Sequence, residues 1–211
     1  MNLITNPAEI EKRSFEIISE KLAGRQFDSQ HINVIKRVIH TTADFDYADN
    51  LVFSKDAAAV AKNAFKNEAR IVTDTQMARA GINKKAVEQL GCSVHCFIDT
   101  PEVIETAKAS GVTRARAAVD RAIETLENPL IFVAGNAPTT LIRLHELISS
   151  GAFSPVLIIA VPVGFVNVVE SKEMILNLQV PHIVAKGQKG GSNVAAAICN
   201  ALLYETTERL L

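Results

Sequence analysis

The chain of 211 residues contains no tryptophan, two tyrosines and three cysteines. With only Tyr47 and Tyr204 absorbing in the near ultraviolet, the polypeptide is almost colourless there, and a bound chromophore would dominate its spectrum. An odd, sparse set of cysteines (Cys92, Cys96 and Cys199) is no disulfide framework and suits a reducing compartment, so a cytoplasmic protein is expected. Cys92 and Cys96 fall in a predicted strand, where about 3.3 Å per residue separates them by about 13 Å, too far for a disulfide and awkward for a shared zinc. They read as small core residues.

Charge of one sign is also missing. Against 22 Lys and Arg stand 23 Asp and Glu, a net charge of −1. This excludes the broad basic surface that nucleic acid demands, and any anionic ligand must be met by local clusters of Lys and Arg. Long apolar runs are absent too. The longest, residues 156–166, is broken by Pro162 and Gly164 and is well short of the ~20 residues of a membrane helix. The opening Met1-Asn2-Leu3-Ile4-Thr5-Asn6-Pro7 has no basic start followed by an apolar stretch, so no signal peptide is expected.

What remains is a globular composition, 48% hydrophobic and 21% charged. The length suits one domain over residues 1–211, and no repeat or linker divides it. Helical spacing runs through residues 7–23 (Ile10, Ser14, Ile17, Ile18, Leu22) and again from about residue 28, with Ile32, Ile35, Val38 and Ile39 on one face. Residues 41–53 have no clear period. Ser54 reads as the N-cap of an alanine-rich helix over 55–69. Five short β-rich runs follow, at 70–73, 93–98, 130–134, 155–161 and 182–185. They alternate with helices that include 101–110, 113–127, 139–149, 171–178 and 192–205. Alternation of this kind predicts an α/β protein with a mainly parallel five-stranded sheet covered on both faces, its ligand beyond the carboxyl ends of the strands.

Three loops there are unusual. Gly135-Asn136-Ala137-Pro138-Thr139-Thr140 follows the third strand, and Val161-Pro162-Val163-Gly164-Phe165-Val166-Asn167 with Glu170-Ser171-Lys172-Glu173 follows the fourth. Lys186-Gly187-Gln188-Lys189-Gly190-Gly191-Ser192-Asn193 follows the fifth. Two lysines beside glycines at a helix start make the last an anion-binding candidate, although the lysine precedes the glycine pair and no Walker motif results. Simple turn chemistry is the alternative for each loop.

Among His31, His40, His95, His145 and His182 no pair has the spacing of a helical zinc motif. His95, His145 and His182 read as packing or hydrogen-bonded groups. His40 follows Lys36 and Arg37 by four and three residues, so a continuing helix gathers all three, with Asp44, Asp46 and Asp49 close behind. An imidazole there can exchange a proton near neutral pH, or simply cap the helix. Ser14 interrupts an apolar stripe and either lines a cavity or back-bonds to the carbonyl one turn earlier. Arg114 and Arg116 beside a predicted helix start suit carboxylates, or else a solvated charged face.

Taken together, several strings resemble the precorrin-8X methylmutase family. They are Arg37-Val38-Ile39-His40-Thr41-Thr42-Ala43-Asp44-Phe45, Thr73-Asp74-Thr75-Gln76-Met77-Ala78-Arg79-Ala80-Gly81-Ile82, Gly135-Asn136-Ala137-Pro138-Thr139, the Val161–Glu173 segments, and Lys189-Gly190-Gly191-Ser192. Each is weak alone, but together they run in family order over nearly the whole chain. The resemblance implies a three-layer α/β/α, flavodoxin-like fold. It implies an isomerase that moves a methyl group from C11 to C12 of a tetrapyrrole, precorrin-8 or cobalt-precorrin-8, giving hydrogenobyrinate or cobyrinate. It also implies a homodimer with no separate cofactor. By motif match it makes His40 the proton donor and acceptor, places Ser14 and Arg37 against substrate, and makes Arg114 the arginine supplied by the dimer partner, with Arg116 two residues away as the competing choice. Ala115 stands where the family is expected to have serine, which touches only a local hydrogen bond. Lys189, Gly190, Gly191 and Ser192 are the expected seat of substrate carboxylates, and Phe165 an expected cover for the ring. A corrinoid carrier without catalysis, or a nucleotide binder built on the glycine loops, are the competing functions.

Overall fold

The computed structural model describes residues 3–207. Met1 and Asn2 of the N-terminal reading, and residues 208–211 of the expected single domain, lie outside them. The chain opens with α1 (Pro7–Lys21) and α2 (Ile32–Thr42), then α3 (Tyr47–Asn50), β1 (Leu51–Phe53) and α4 (Ala57–Lys66). It continues through β2 (Arg70–Thr73), α5 (Gln76–Gly81), α6 (Lys84–Gln89), β3 (Ser93–His95), α7 (Pro101–Ser110) and α8 (Arg114–Thr125). Last come β4 (Leu130–Ala134), α9 (Pro138–Ser149), β5 (Leu157–Ala160), α10 (Val168–Leu176), β6 (His182–Ala185) and α11 (Ser192–Thr206).

The sheet of the described residues has six strands in the order β1-β6-β5-β4-β2-β3, not the five expected. The five expected strands are there and parallel. The addition is β1, antiparallel to β6 through Leu51↔Ala185 and Phe53↔Ile183, in the stretch that shows no period. A three-residue strand is too short to display alternation, which explains why it escapes a periodicity reading. Among the parallel strands, the first and third in sequence (β2 and β4) are neighbours whose connections leave in opposite directions. This is the flavodoxin-like order, with its switch point between β2 and β4.

Period-two burial sorts the central strands onto two cores. Ile131 and Val133 face one layer with residues from α2, α4 and α11. Leu130, Phe132 and Ala134 face the other, with Val119 of α8, Leu141 and Leu144 of α9 and Ile175 of α10. Both faces are covered, giving three layers. The three cysteines are buried free thiols, and burial raises each pKa, that of Cys92 to about 11.

Some local readings are corrected. Ser54 does not cap α4. Asp56, in the left-handed region at φ 61°, precedes that helix, and the Ser54 hydroxyl instead accepts the His182 N–H at 2.8 Å, extending the β1–β6 contact. Helix α10 begins three residues earlier than expected, after Asn167 at φ 59°. Helices α5 and α6 are six residues each, too short to show a period.

The carboxyl edge of the sheet is drawn together at Gly190. The Gly191 N–H donates to the Val161 carbonyl at 2.9 Å and the Gly164 N–H to the Gln188 carbonyl at 3.1 Å, so the loops after β5 and β6 run against each other. A Cβ on Gly190 would collide with the Val161 carbonyl oxygen and sit 2.8 Å from that of Pro162. Gly190→Ala therefore costs about 3 kcal/mol of unfolding free energy through overpacking. Gly24→Ala, at φ 84° with open space around it, costs only about 1 kcal/mol of left-handed strain. Denaturant unfolding of the two variants checks this, and equal losses would contradict it.

Candidate active site

His40 lies in the last turn of α2, a helix that buries Val34, Ile35, Val38 and Ile39 and leaves position 40 exposed at its rim. Its ring stacks on Phe15 of α1, with centroids 5.1 Å apart and planes 14° from parallel. The Arg37 guanidinium, one turn back, lies 4.7 Å from the same Phe15 ring and 5.3 Å from that of Tyr204 in α11. Arg37 donates to Glu11 Oε1 at 2.9 Å, while its Nε is buried with no hydrogen-bond partner. Partial burial pushes the His40 pKa below the ordinary imidazole value, and the Arg37 charge pushes the same way against a weaker pull from Glu11. His40 thus holds a proton less tightly in the free protein than an ordinary imidazole does.

Ser14 is one residue before Phe15, but its hydroxyl donates to the Ile10 carbonyl at 2.8 Å, the back-bonding alternative. A hydroxyl keeps a lone pair free when it donates this way, so the bond leaves Ser14 an acceptor only. Arg37 and Thr41 line a hollow of about 280 Å³ with Asn193, Asn200 and Tyr204. This is below the ~300–1,000 Å³ that closes around a drug-sized ligand.

Lys189 joins this group to the loop after β6. Its Nζ lies 2.6 Å from carboxylate oxygens of both Asp44 and Asp46, just beyond the end of α2. These bonds raise the Lys189 pKa and lower that of Asp44. The Lys189 ammonium is thus already occupied. Gly191 then caps α11 without a side-chain bond, leaving the first N–H groups of a 15-residue helix for other acceptors. Ser192 Oγ contacts Thr75 Oγ1 at 2.7 Å, continuing the rim to the loop after β2.

The switch point itself holds a cleft of about 620 Å³, lined by Thr75, Gln76, Asp99, Arg114, Asn136 and Thr139 among others. Arg114 is exposed at the first position of α8, next to the Thr113 N-cap. Arg116 is committed elsewhere, paired with Glu146 at 2.7 Å, which with Arg143 holds the Glu146 pKa near 2. His40 does not line this cleft. The chain therefore carries the predicted site residues in two groups: Ser14, Arg37, His40 and the Lys189–Ser192 loop in one, Arg114 in the other. Phe165, 81% exposed, and Val166, 78% exposed, line neither hollow.

Comparison with known proteins gives the family. The precorrin-8X methylmutase (CbiC) family model matches residues 9–205. The chain belongs to the precorrin-8X methylmutase family. It is 46% identical to the cobalt-precorrin-8 methylmutase of Salmonella typhimurium over 99% of this chain and all of that protein. It is 36% identical to the precorrin-8X methylmutase of Pseudomonas aeruginosa, over 97% and 99% of the two chains. The precorrin-8X methylmutase structure from Thermus thermophilus superposes with a TM-score of 0.89 at 39% identity, covering 95% of this chain and 97% of that one. As a methylmutase of this family the chain is an isomerase of cobalamin biosynthesis.

Two residues of the methylmutase motifs have structural tasks that motif reading left unassigned. Asp74, following β2, is buried and accepts the N–H groups of Gly135, Asn136 and Ala137 at 2.8, 2.7 and 2.6 Å, shaping the loop after β4. Burial raises its pKa while the three N–H bonds oppose the rise. An acid directly after a buried strand is the signal that could have found it. Lys172 is the other. It occupies the stripe Val168, Ser171, Lys172, Ile175 that α10 turns inward, where an apolar residue is the default.

Replacing Arg37 with Gln removes the charge that repels a proton from His40 and leaves Glu11 unopposed. The His40 pKa of Arg37→Gln should rise above that of the wild type, read by NMR titration of the imidazole; an unchanged or lower value would contradict the coupling.

Proposed function

We propose that this chain catalyses the C11-to-C12 methyl shift of cobalt-precorrin-8 to give cobyrinate, with His40 as proton donor and acceptor. The observation that carries the reading is an exposed imidazole of lowered pKa held beside Arg37 at a rim that also carries a helix N-terminus with no side-chain cap. The relatives 46% and 41% identical bear the cobalt-precorrin-8 name, which favours the cobalt-loaded substrate over the metal-free one. The whole chain, residues 1–211, is read as one domain, and no separate cofactor is invoked because the rearrangement is intramolecular.

A 1,5-sigmatropic methyl shift needs no nucleophile. It needs a macrocycle made electron-deficient and held in the reactive shape. The ligand brings several carboxylate arms. Beside them the His40 pKa rises, so an imidazole whose proton affinity is held down in the free protein gains it in the complex. Donation of that proton to the ring system, and its return after migration, supplies general acid help of about 10²–10⁴-fold. Arg37 meets the arms on the His40 side, and Ser14 joins it by turning its hydroxyl from the Ile10 carbonyl to donate to an arm. Ser192 and the first N–H groups of α11, with Gly190 and Gly191 allowing close approach, meet others. Lys189 neutralises Asp44 and Asp46, which would otherwise repel an anion.

The hollow beside Arg37 accepts an arm and not the ring. This supports a homodimer in which Arg114 of a second copy closes over the ring, with Phe165 and Val166 as apolar cover. A second copy reconciles the two groups of residues that one protomer keeps apart.

His40→Ala should still take on the colour of bound tetrapyrrole while losing conversion by at least about 10²-fold; conversion at the parental rate would defeat the proton-transfer role. A carrier would bind colour and convert nothing even as wild type. For the shared site, His40→Ala and Arg114→Ala homodimers are each inactive, and mixing them after dissociation should restore about a quarter of wild-type activity through hybrids with one intact site. No recovery in verified hybrids would contradict a trans-acting Arg114.

A further inference from the structure

The mechanism leaves one buried cation unused. Lys172 is 1% exposed, and its Nζ donates to the carbonyls of Gly187 at 2.7 Å and Lys189 at 2.8 Å. Its acceptors are two carbonyls of one loop, not a carboxylate. Burying an ammonium without a counter-charge is expensive, and methionine or leucine would fill this position of the α10 stripe at lower cost. Burial lowers the Lys172 pKa to about 8. Both acceptors belong to the turn between β6 and α11, and one of them is the backbone of Lys189. The Lys189 side chain spans to Asp44 and Asp46. A direct chain of contacts thus runs from the interior of α10, through the loop, to the segment that follows His40.

The geometry points to Lys172 as a positioning residue for substrate binding: by pinning the Gly187 and Lys189 carbonyls it holds Lys189 where it neutralises Asp44 and Asp46 at the rim. It touches no substrate. Released from this hold, the turn lets the Lys189 ammonium leave its place, and two carboxylates then face an incoming polyanion. The inference rests on reading this rim as the anion-binding lip, and the variants below separate failure of one from failure of the other.

The experiment is steady-state kinetics with cobalt-precorrin-8 on wild type, Lys172→Met, Lys172→Gln, Lys189→Ala and the double variants, with folding checked by circular dichroism. Lys172→Met, close in size and without a donor, should raise KM about tenfold and leave kcat within about threefold. Lys172→Gln, which keeps an amide donor, should fall between it and wild type. Lys189→Ala should raise KM by a similar factor. Adding Lys172→Met to it should raise KM by less than about twofold more, because both act through one ammonium. If Lys172→Met does not fold, Lys172→Gln carries the same comparison.

A wild-type KM in Lys189→Ala would defeat the lip and, with it, the role of Lys172. A raised KM in Lys189→Ala with a wild-type KM in folded Lys172 variants would defeat the Lys172 inference alone. So would a fall in kcat and melting temperature at constant KM, the mark of a merely structural lysine, or fully multiplicative effects in the doubles.

Discussion

The ring of Phe15 is the plate on which the proposed catalytic residues rest. One stacking contact joins it to His40, and one cation–π contact joins it to Arg37, so helix α1 fixes both residues of α2. Each contact is worth about 0.5–1.5 kcal/mol, enough to select a rotamer though not to hold a fold together. The arrangement has an electrostatic consequence. Partial burial, and after it the neighbouring guanidinium, hold the pKa of that imidazole below its ordinary value. In the proposed mechanism binding of a polyanion and proton uptake are then coupled.

In the proposed function a chain of net charge −1 meets a polyanion with a few locally placed cations and helix N–H groups at the carboxyl edge of its sheet. The sheet order supplies that place. Parallel strands send their carboxyl ends to one edge, and β1, running the other way beside β6, starts at that edge with Leu51 opposite Ala185, so residues 44–50 lie beside the loop after β6. Lys189 then stitches the last loop to that segment. Glycine is required at 190 because the loops after β5 and β6 approach more closely than any side chain permits. The rim is thus assembled from distant parts of the chain, by contacts that are individually small.

How far this could be read from the amino acids follows from the size of each feature. Strands β4, β5 and β6 are continuous buried apolar runs and announce themselves, as does the amphipathic face of α2. The edge strand β1 and the short helices α5 and α6 have too few residues to establish a period. His40 and Arg37 are legible because helical spacing brings them together. The pairing of Lys189 with Asp44 and Asp46 links positions more than 140 residues apart, and no local pattern encodes it. Likewise, spacing cannot rank Arg114 against Arg116, whereas Glu146, on another helix, engages Arg116. Lys172 was readable in principle as a charge in an apolar stripe, but its two carbonyl acceptors appear only once the loop is folded.

The account stands on an imidazole whose pKa is held low in the free protein and is raised beside the bound macrocycle. NMR titration of His40 in the wild-type protein, free and saturated with cobyrinate, measures this directly. The predicted result is a pKa below the ordinary imidazole value in the free protein that moves upward in the complex. A pKa unchanged or lowered by the ligand would contradict it.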